Sequence, residues 1–540
     1  MAAGTTSARR RTKAKPKRKA PAKKVVCKKP RKGASKKQTS AYKKCLAKQQ
    51  KAKQKKTVAK KPAAKTPVRP LSPAAPPPTT PEAPLPPPPA RPPRPAGLEV
   101  YGGPFGVVQA ERLLWRAGFG PKGRADSERV AALGLEEAVR QLVRPAGTAS
   151  LVGPAPPPLA PRDAWSHDHC WWLDRMVRSD QQLTERMTLV LHDWFATSSD
   201  KVGQWLAIDQ NELLRSRALG SFRDLVMAIT VNPAMLVWLD GIENRRFSPN
   251  ENYARELMEL FTLGADRGAY TEADVRQLAR ALTGWRADWS DAEGRLVNFR
   301  LHTNWQDRGT KTLWAGTAYQ RAGTFDWAGA VDLCLDNPYH RSFFVLKLWS
   351  YFVPTPPSPA TQGALEHLYV TSGRSIADVL EAILLHPDFH AGPSMVKPPV
   401  VLAAGLMRGA GRGIANTNWG WRADPSGQRL FYPPNVSGWK DQAWLDTSTH
   451  LGRWELAYEA MNGLAATSGS YSGSNETPAE AVAAALRFWG DPTVSAETLA
   501  ALRAYADQPR PSGYSTNDFR AMRQNSLRHL IAASPDFQVC

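Results

Sequence analysis

The residues best suited to do chemistry in this sequence fall in one short run, NENYARELMELFTLG, which begins at Asn250. Apolar residues recur in it at intervals of three and four, a spacing that predicts a helix with one face against a core. Glu256 lies at the edge of that face, one turn from Tyr253 and Leu260. Burial would raise the pKa of this carboxyl towards that of a general acid or base, whereas an arginine partner would keep it ionised and structural.

The same helix supplies polar neighbours for Glu256. Asn250 is expected to cap its start, and Asn252 lies at the edge of the apolar face. Three side chains of alternating charge follow one another at intervals of four residues, the spacing of ion pairs along an exposed helix face. They are Glu251, Arg255 and Glu259. We expect a binding site on or near this helix, composed of Asn252, Arg255, Glu259, Asp240 and Trp285.

His192 is the second candidate for catalysis, as an assistant to Glu256. It stands near the end of a helical segment over 165–195, beside aromatic residues, where a lone histidine is more often structural than a ligand. The cysteines are scattered and form no CxxC pair, so no metal site is predicted and the cofactor stays open. They are Cys27, Cys45, Cys170, Cys334 and Cys540.

Three common catalytic signatures are missing from the sequence: HExxH, GxSxG and GxxxxGK[ST]. Glycoside hydrolysis needs two carboxylates across a cleft, which Glu256 could form with Glu259 or Asp240. Three hypotheses therefore stay open. The chain is a helical protein with a polar site on the helix 250–264 and a tail that binds a polyanion, or a hydrolase of a carbohydrate or cell-envelope polymer, or a non-catalytic scaffold.

Helical spacing recurs along most of the chain, and alternating strands are scarce. The pattern predicts an all-α, multi-helical globular body with long irregular loops, one of them over 285–323. Thr271 and Asp274 predict a capping box for the helix that follows the site. In chain order we expect a disordered Lys/Arg-rich tail over 1–70, a proline-rich linker over 71–100, a helical core domain over 101–467, a Ser/Gly linker over 468–478 and a helical segment over 479–540 that packs on the core.

The formal net charge of +24 belongs to the predicted tail. Residues 1–70 hold 27 of the 72 Lys and Arg and none of the 48 Asp and Glu, so the other 470 residues carry 45 basic and 48 acidic side chains. A tail of this kind attracts polyanions by releasing counterions. Nucleic acid, an anionic lipid surface or an acidic polymer would each serve as the partner.

No run of 18 apolar residues predicts a membrane span. The arginine run at 9–11 has no apolar stretch behind it, as an export signal would require. We therefore expect the chain in the cytoplasm, with export as the alternative if the assigned start is wrong. The sequence does not indicate the oligomeric state.

Several motifs recur in order over about residues 108–537, and through them the body resembles the bacterial family catalogued as domain of unknown function 1800. The resemblance implies no established activity, because the biochemistry of that family is unassigned, and many of its members look exported. The motifs are RLLWRAGFGP from Arg112, LGSFRDLVMAITVNPAMLVWLD from Leu219, NENYARELMELFTLG from Asn250, YTEADVRQLARALTGW from Tyr270, FYPPNVSGW from Phe431 and SPDFQ from Ser534.

The chain departs from the family pattern in two places. The usual Trp-His-Asn-His-Phe run stands here as residues 191–195, with Trp194 in place of the second histidine, which disfavours a paired-histidine metal site. The usual His-Asp pair appears as His302 followed by Thr303, with Asp307 further on.

Overall fold

Helices account for most of the chain in this computed structural model, which describes residues 97–439, 444–471 and 476–540. The all-α fold class expected from helical spacing is confirmed. The predicted tail over 1–70 lies outside the described residues, as do the predicted linker up to residue 96 and part of the predicted Ser/Gly linker.

The first part of the body consists of helices whose starts carry side-chain caps. Ser221 and Asn232 each accept hydrogen bonds from the first amides of the helix that follows, and Pro233 begins its helix. The elements are α1 (Val107–Arg116), α2 (Arg124–Leu133), α3 (Leu135–Val143), α4 (His167–Arg178), α5 (Gln182–Trp194), α6 (Ser199–Val202), α7 (Gln204–Arg217), α8 (Phe222–Thr230), α9 (Pro233–Trp238) and a 3-10 turn (Gly241–Glu243).

The segment predicted to carry the site is part α-helix and part π-helix. It begins as α10 (Asn252–Glu256) and continues as a π-helix over Leu257–Thr262. The helix starts two residues after the predicted cap, but the Asn250 side chain still accepts a hydrogen bond from the Asn252 amide at 2.9 Å. Asn250 therefore orders the turn that leads into the helix.

The next helix, α11 (Glu272–Ala281), confirms a prediction from the sequence. The Thr271 hydroxyl accepts from the amide of Asp274, and the Asp274 carboxylate accepts from the amide of Thr271 at 2.8 Å. This reciprocal pair is the expected capping box, and it fixes where the helix begins.

The stretch 285–323 holds two antiparallel hairpins, so the prediction of an irregular loop there is wrong. Side chains on the first hairpin are at most partly buried, and its strands lack the apolar alternation from which pairing can be predicted. The strands are β1 (Trp285–Ser290), which pairs with β2 (Arg295–Leu301), and β3 (Lys311–Leu313), which pairs with β4 (Arg321–Gly323), with a 3-10 turn (Thr303–Trp305) between the hairpins.

Helices resume after the second hairpin and continue to residue 538. They are α12 (Trp327–Asp336), α13 (Pro338–Ser350), α14 (Pro359–Thr371), α15 (Ile376–Leu385), α16 (Pro387–Ala391), α17 (Pro399–Gly409), α18 (Thr447–Met461), α19 (Pro478–Phe488), α20 (Ala496–Ala506), α21 (Thr516–Ala533) and α22 (Pro535–Gln538). Short 3-10 turns cover Thr417–Trp421, Asp424–Ser426 and Ser468–Ser470.

The buried apolar side chains form two clusters within one compact unit, Ala90–Cys540. The first cluster includes Phe261 of the π-helix and joins the early helices to α12–α16. The second includes Phe431 and joins α4 and α17 to the helices after residue 447. Each cluster encloses one cysteine, Cys334 in the first and Cys170 in the second.

Arg116 ties α1 to distant parts of the chain. Its buried guanidinium donates five hydrogen bonds of 2.5–3.3 Å to backbone oxygens. These five hydrogen bonds match the five N–H groups of the arginine side chain, which offsets the cost of burying its charge. The oxygens belong to Phe352, Phe389, Pro393 and Cys540.

Candidate functional site

Glu256 is half-buried at the point where α10 becomes the π-helix. Among the described residues its carboxylate has neither a hydrogen bond nor an ion pair. Burial raises its pKa to about 7, the negative charge of Glu259 adds to the rise, and Arg255 opposes it. At neutral pH this carboxyl is therefore close to half-protonated.

Arg255, the residue that could have locked Glu256, binds other carboxylates. Its two terminal nitrogens donate to Glu272 of α11 at 2.5 and 2.8 Å, and one of them also reaches Glu251 at 3.2 Å. The predicted pair of Glu251 with Arg255 is confirmed. The arginine thus joins α10 to α11 and leaves Glu256 without a salt bridge.

Glu259 accepts a hydrogen bond from the Tyr270 hydroxyl at 3.2 Å instead of pairing with Arg255. Hydrogen bonds in a π-helix join residues five apart, so each turn of a π-helix contains more residues than a turn of an α-helix. Glu259 therefore lies further round the helix axis from Glu256 than α-helical spacing predicts. Its charge nevertheless raises the pKa of Glu256, and it also raises the pKa of Tyr270, after the larger effect of burial.

Asn252 and Asp240, both predicted binding residues, do lie together. The Asn252 amide donates to the Asp240 carboxylate at 2.8 Å. The ammonium of Lys201 binds the other oxygen of Asp240 at 2.7 Å and the carbonyl of Trp238 at 2.7 Å. These side chains are exposed or partly so, and they form a polar surface at the start of α10.

His192 lies in a buried aromatic enclosure and is only 1% exposed. The ring centroids of Trp172, Trp439 and Phe431 are 5.2, 5.6 and 5.7 Å from its own. Neither ring nitrogen has a hydrogen bond within the described part of the chain, and burial lowers the pKa to about 3. No described contact joins His192 to Glu256, which borders the other core cluster.

Trp285 also stands apart from Glu256. It begins β1, and its ring packs against Trp327 with 5.9 Å between centroids. Its indole nitrogen is buried and has no hydrogen-bond partner among the described residues. Of the predicted site residues, the structure thus gathers Asn252 with Asp240, and Glu256 with Arg255 and Glu259.

A pocket of about 570 Å³ opens between α1, α5 and α13, where no motif had predicted a site. We call it the cation pocket after the three basic side chains in its lining, Arg116, Arg186 and Lys347, which lie there with Asp193 and Tyr351. Trp115, Arg116, Asp193 and Trp439 of its lining belong to motifs that the sequence singles out, whereas Arg186 and Lys347 belong to none of them. The cationic residues occur within ordinary helical spacing, which does not reveal that they are buried around one space.

These features define an all-α protein with a half-buried acid group on one helix and a separate cationic pocket. Within residues 97–439, 444–471 and 476–540, no helix combines the length and apolar character needed to cross a bilayer. The same residues contain no gathering of three or more His, Cys, Asp or Glu side chains that could hold a metal ion.

The chain belongs to the family described as "Protein of unknown function (DUF1800)", whose model matches residues 112–539. Neither the comparison with curated proteins nor the comparison with solved structures gives a match. The family model covers nearly all of the helical body, and its description names no activity.

Proposed function

We propose that the protein is a binding protein with two parts, an acid site at Glu256 on the helical body and a basic tail over 1–70 that attaches it to a polyanion. The observation that carries the site is the unpaired, half-buried carboxyl of Glu256 beside Glu259. A carboxyl close to half-protonation both donates and accepts hydrogen bonds, so it suits a ligand rich in hydroxyl groups.

The surroundings of Glu256 support a polar ligand. The Asn252 amide and the Asp240 carboxylate are hydrogen-bonded to each other at the start of the same helix, and the Tyr270 hydroxyl lies on Glu259. Hydrogen-bond donors and acceptors therefore stand both at the start of the helix and beside Glu259. Sugar hydroxyls donate and accept, so they can bond to such groups.

A hydrolase is the second candidate, and the pKa of about 7 for Glu256 is the observation that favours it. An acid–base catalyst works best when its pKa lies near the working pH. Glu256 would protonate the leaving oxygen, and Glu259 would be the second carboxylate. His192 takes no part in this mechanism, because it is sealed among aromatic rings and neutral.

The test of the acid site compares Glu256→Gln with Glu251→Gln, a matched change on the same helix at a residue paired with Arg255. We expect soluble chito- and cello-oligosaccharides to raise the Tm of the wild type and of Glu251→Gln but not of Glu256→Gln. If polymer cleavage is found, Glu256→Gln should lower kcat at least 100-fold with Tm changed by a few degrees. A large loss of stability in Glu256→Gln without any ligand effect would instead support the scaffold hypothesis.

The test of the tail compares the full chain with a variant that begins at Tyr101. We expect the full chain to be retained on immobilised heparin at low salt and the shortened chain to pass through. Equal retention of the two would show that the helical body, and not the tail, binds the polyanion.

A further inference from the structure

The cation pocket is walled by six parts of the chain that are far apart in sequence. The helices α1, α5 and α13 contribute its charged side chains, and the segment around Met395, the tryptophans Trp439 and Trp444, and Cys540 complete the wall. Its volume of about 570 Å³ lies in the range of pockets that enclose small organic molecules. None of its lining residues belongs to the acid site at Glu256.

Arg186 is the most unusual member of this pocket. Its side chain is 6% exposed, and its Nε donates to the carbonyl of Arg116 at 3.2 Å. Its two terminal nitrogens have no hydrogen bond in the described part of the chain, and the carboxylates of Cys540 and Asp193 act on them only from beyond ion-pair distance. Buried charges are almost always paired, since an unpaired charge away from water is costly. The guanidinium therefore presents a vacant pair of donors to the pocket.

Lys347 adds a second cation beside it. Its ammonium donates to the carbonyl of Leu260 at 3.0 Å and lies 4.9 Å from the ring centroid of Trp194. One such bond leaves two of the three ammonium hydrogens without a partner among the described residues. Burial lowers the pKa to about 8, so the charged form still prevails at neutral pH.

The acidic groups on the pocket wall offset only part of this positive charge. Asp193 already accepts a hydrogen bond from the Tyr351 hydroxyl at 2.7 Å and another from the amide of Trp439 at 2.7 Å. The carboxylate of Cys540 also lines the pocket and accepts from Arg116 at 2.9 Å, so within the described lining two carboxylates stand against Arg116, Arg186 and Lys347. The pocket therefore carries excess positive charge.

We propose that the cation pocket binds a small organic oxyanion, a carboxylate or a phosphate ester. The terminal nitrogens of Arg186 hold the acid group through the two parallel hydrogen bonds that a guanidinium makes with such a group. Lys347 supplies the second positive charge. The indole rings of Trp115 and Trp439 line the pocket and pack against the apolar part of the ligand.

The binding test uses phenylphosphate and phenylacetate as probes and benzyl alcohol as the uncharged control, with the full chain. We expect at least one anion to bind, seen by calorimetry and by a change in tryptophan fluorescence, and benzyl alcohol to give no signal. Arg186→Met should weaken the affinity at least tenfold, and Arg186→Lys should weaken it less. The tighter of the two probes identifies the acid group.

The matched control is Arg217→Met, which removes one positive charge from an exposed helical position. It keeps the basic tail, as Arg186→Met does, so a loss confined to Arg186→Met excludes binding by the tail. No binding of either anion to the wild type overturns the proposal. So does equal affinity of the Arg186→Met and Arg217→Met variants.

A second measurement needs no variant and so does not depend on Arg186→Met folding. Limited acetylation of the wild type with acetic anhydride, followed by peptide mass spectrometry, measures the reactivity of each lysine. We expect the bound probe to slow acetylation of Lys347 at least fivefold and to leave Lys201, on the polar surface near α10, unchanged. Equal rates at Lys347 with and without a saturating probe would place the anion elsewhere.

Discussion

At the scale of single residues, Glu256 links the acid site to stability. Glutamate has an ordinary pKa of 4.5, and the folded chain raises that of Glu256 to about 7. Between these values the folded state holds a proton that the unfolded state has released. Stability must therefore fall as the pH rises from about 4.5 to 7, and the loss persists above that window.

Glu256→Gln removes this titration and keeps the shape of the side chain. We expect the variant to be about 1 kcal/mol more stable than the wild type at pH 8, a value that allows for screening by the water that reaches part of the carboxyl, and equally stable at pH 4. Urea unfolding at the two pH values measures the difference. A variant less stable at pH 8, with Glu251→Gln unchanged, would contradict the assigned direction.

His192 acts in the opposite direction. Histidine ordinarily titrates near 6.5, and burial lowers the pKa of His192 to about 3, so the unfolded chain takes up a proton that the folded chain refuses. Stability is lost as the pH falls from about 6.5 towards 3.

His192→Met should reduce that acid loss, by up to about 1.4 kcal/mol for each pH unit between 6 and 4. Chemical unfolding at pH 6, 5 and 4 measures the slope. His367→Met, at an exposed position, is the control and should leave the slope unchanged. Parallel slopes for wild type and His192→Met would show that other groups govern the acid loss.

At the scale of elements, the helix that carries Glu256 was predictable from the sequence, but its change from α-helix to π-helix after Glu256 was not. The spacing of its apolar residues fits an α-helix, and nothing in that spacing distinguishes a π-helical continuation. Contacts made after folding satisfy the backbone there: the Thr262 hydroxyl donates to the carbonyl of Leu257 at 2.5 Å, and Lys347 donates to the carbonyl of Leu260. The hydrogen bond between Tyr270 and Glu259 is made on this π-helical stretch.

The cation pocket was not predictable either, because it too depends on packing that local spacing does not show. Arg186 and Lys347 stand in helices among apolar residues, and a long basic side chain at such a position usually carries its charge out to water. Arg186 and Lys347 are instead enclosed because of the way α5 and α13 pack, and the spacing of residues within one helix does not predict that packing. The capping box at Thr271 was predictable because both of its partners are three residues apart.

The FYPPNVSGW segment, residues 431–439, offers a test at this scale. Gly438 has a φ of +86°, and an added Cβ would lie 2.2 Å from the Asp193 carboxylate. We expect Gly438→Ala to cost about 2–3 kcal/mol, measured by urea unfolding, because it combines backbone strain with a clash. Gly203→Ala is the matched control, with a φ of +80° and open space around the added carbon, and should cost about 1 kcal/mol. Equal costs would mean that the loop can move off Asp193.

At the scale of the whole molecule, charge is divided between tail and body. The 27 basic residues of 1–70 face no acidic residue in that stretch, whereas the remainder of the chain is close to neutral. This division was readable from composition alone, as was the all-α class from helical spacing. The arrangement of two apolar clusters was not, because it depends on contacts between residues hundreds of positions apart.

The proposed role of the tail has a quantitative consequence. Binding through released counterions should make the affinity of the full chain for a DNA duplex or heparin fall at least 1,000-fold between about 50 and 200 mM salt. Fluorescence anisotropy at several salt concentrations measures the slope. An affinity that barely changes with salt would require contacts other than charge.

The two enclosed cysteines make each apolar cluster separately observable. Cys334 lies in the first cluster and Cys170 in the second, and burial raises the pKa of both thiols to about 12. Neither thiol should react with an alkylating reagent until its own surroundings open. Pulsed labelling along a denaturant series would therefore reveal whether the two halves of the interior melt together or in succession, without any dye or engineered probe.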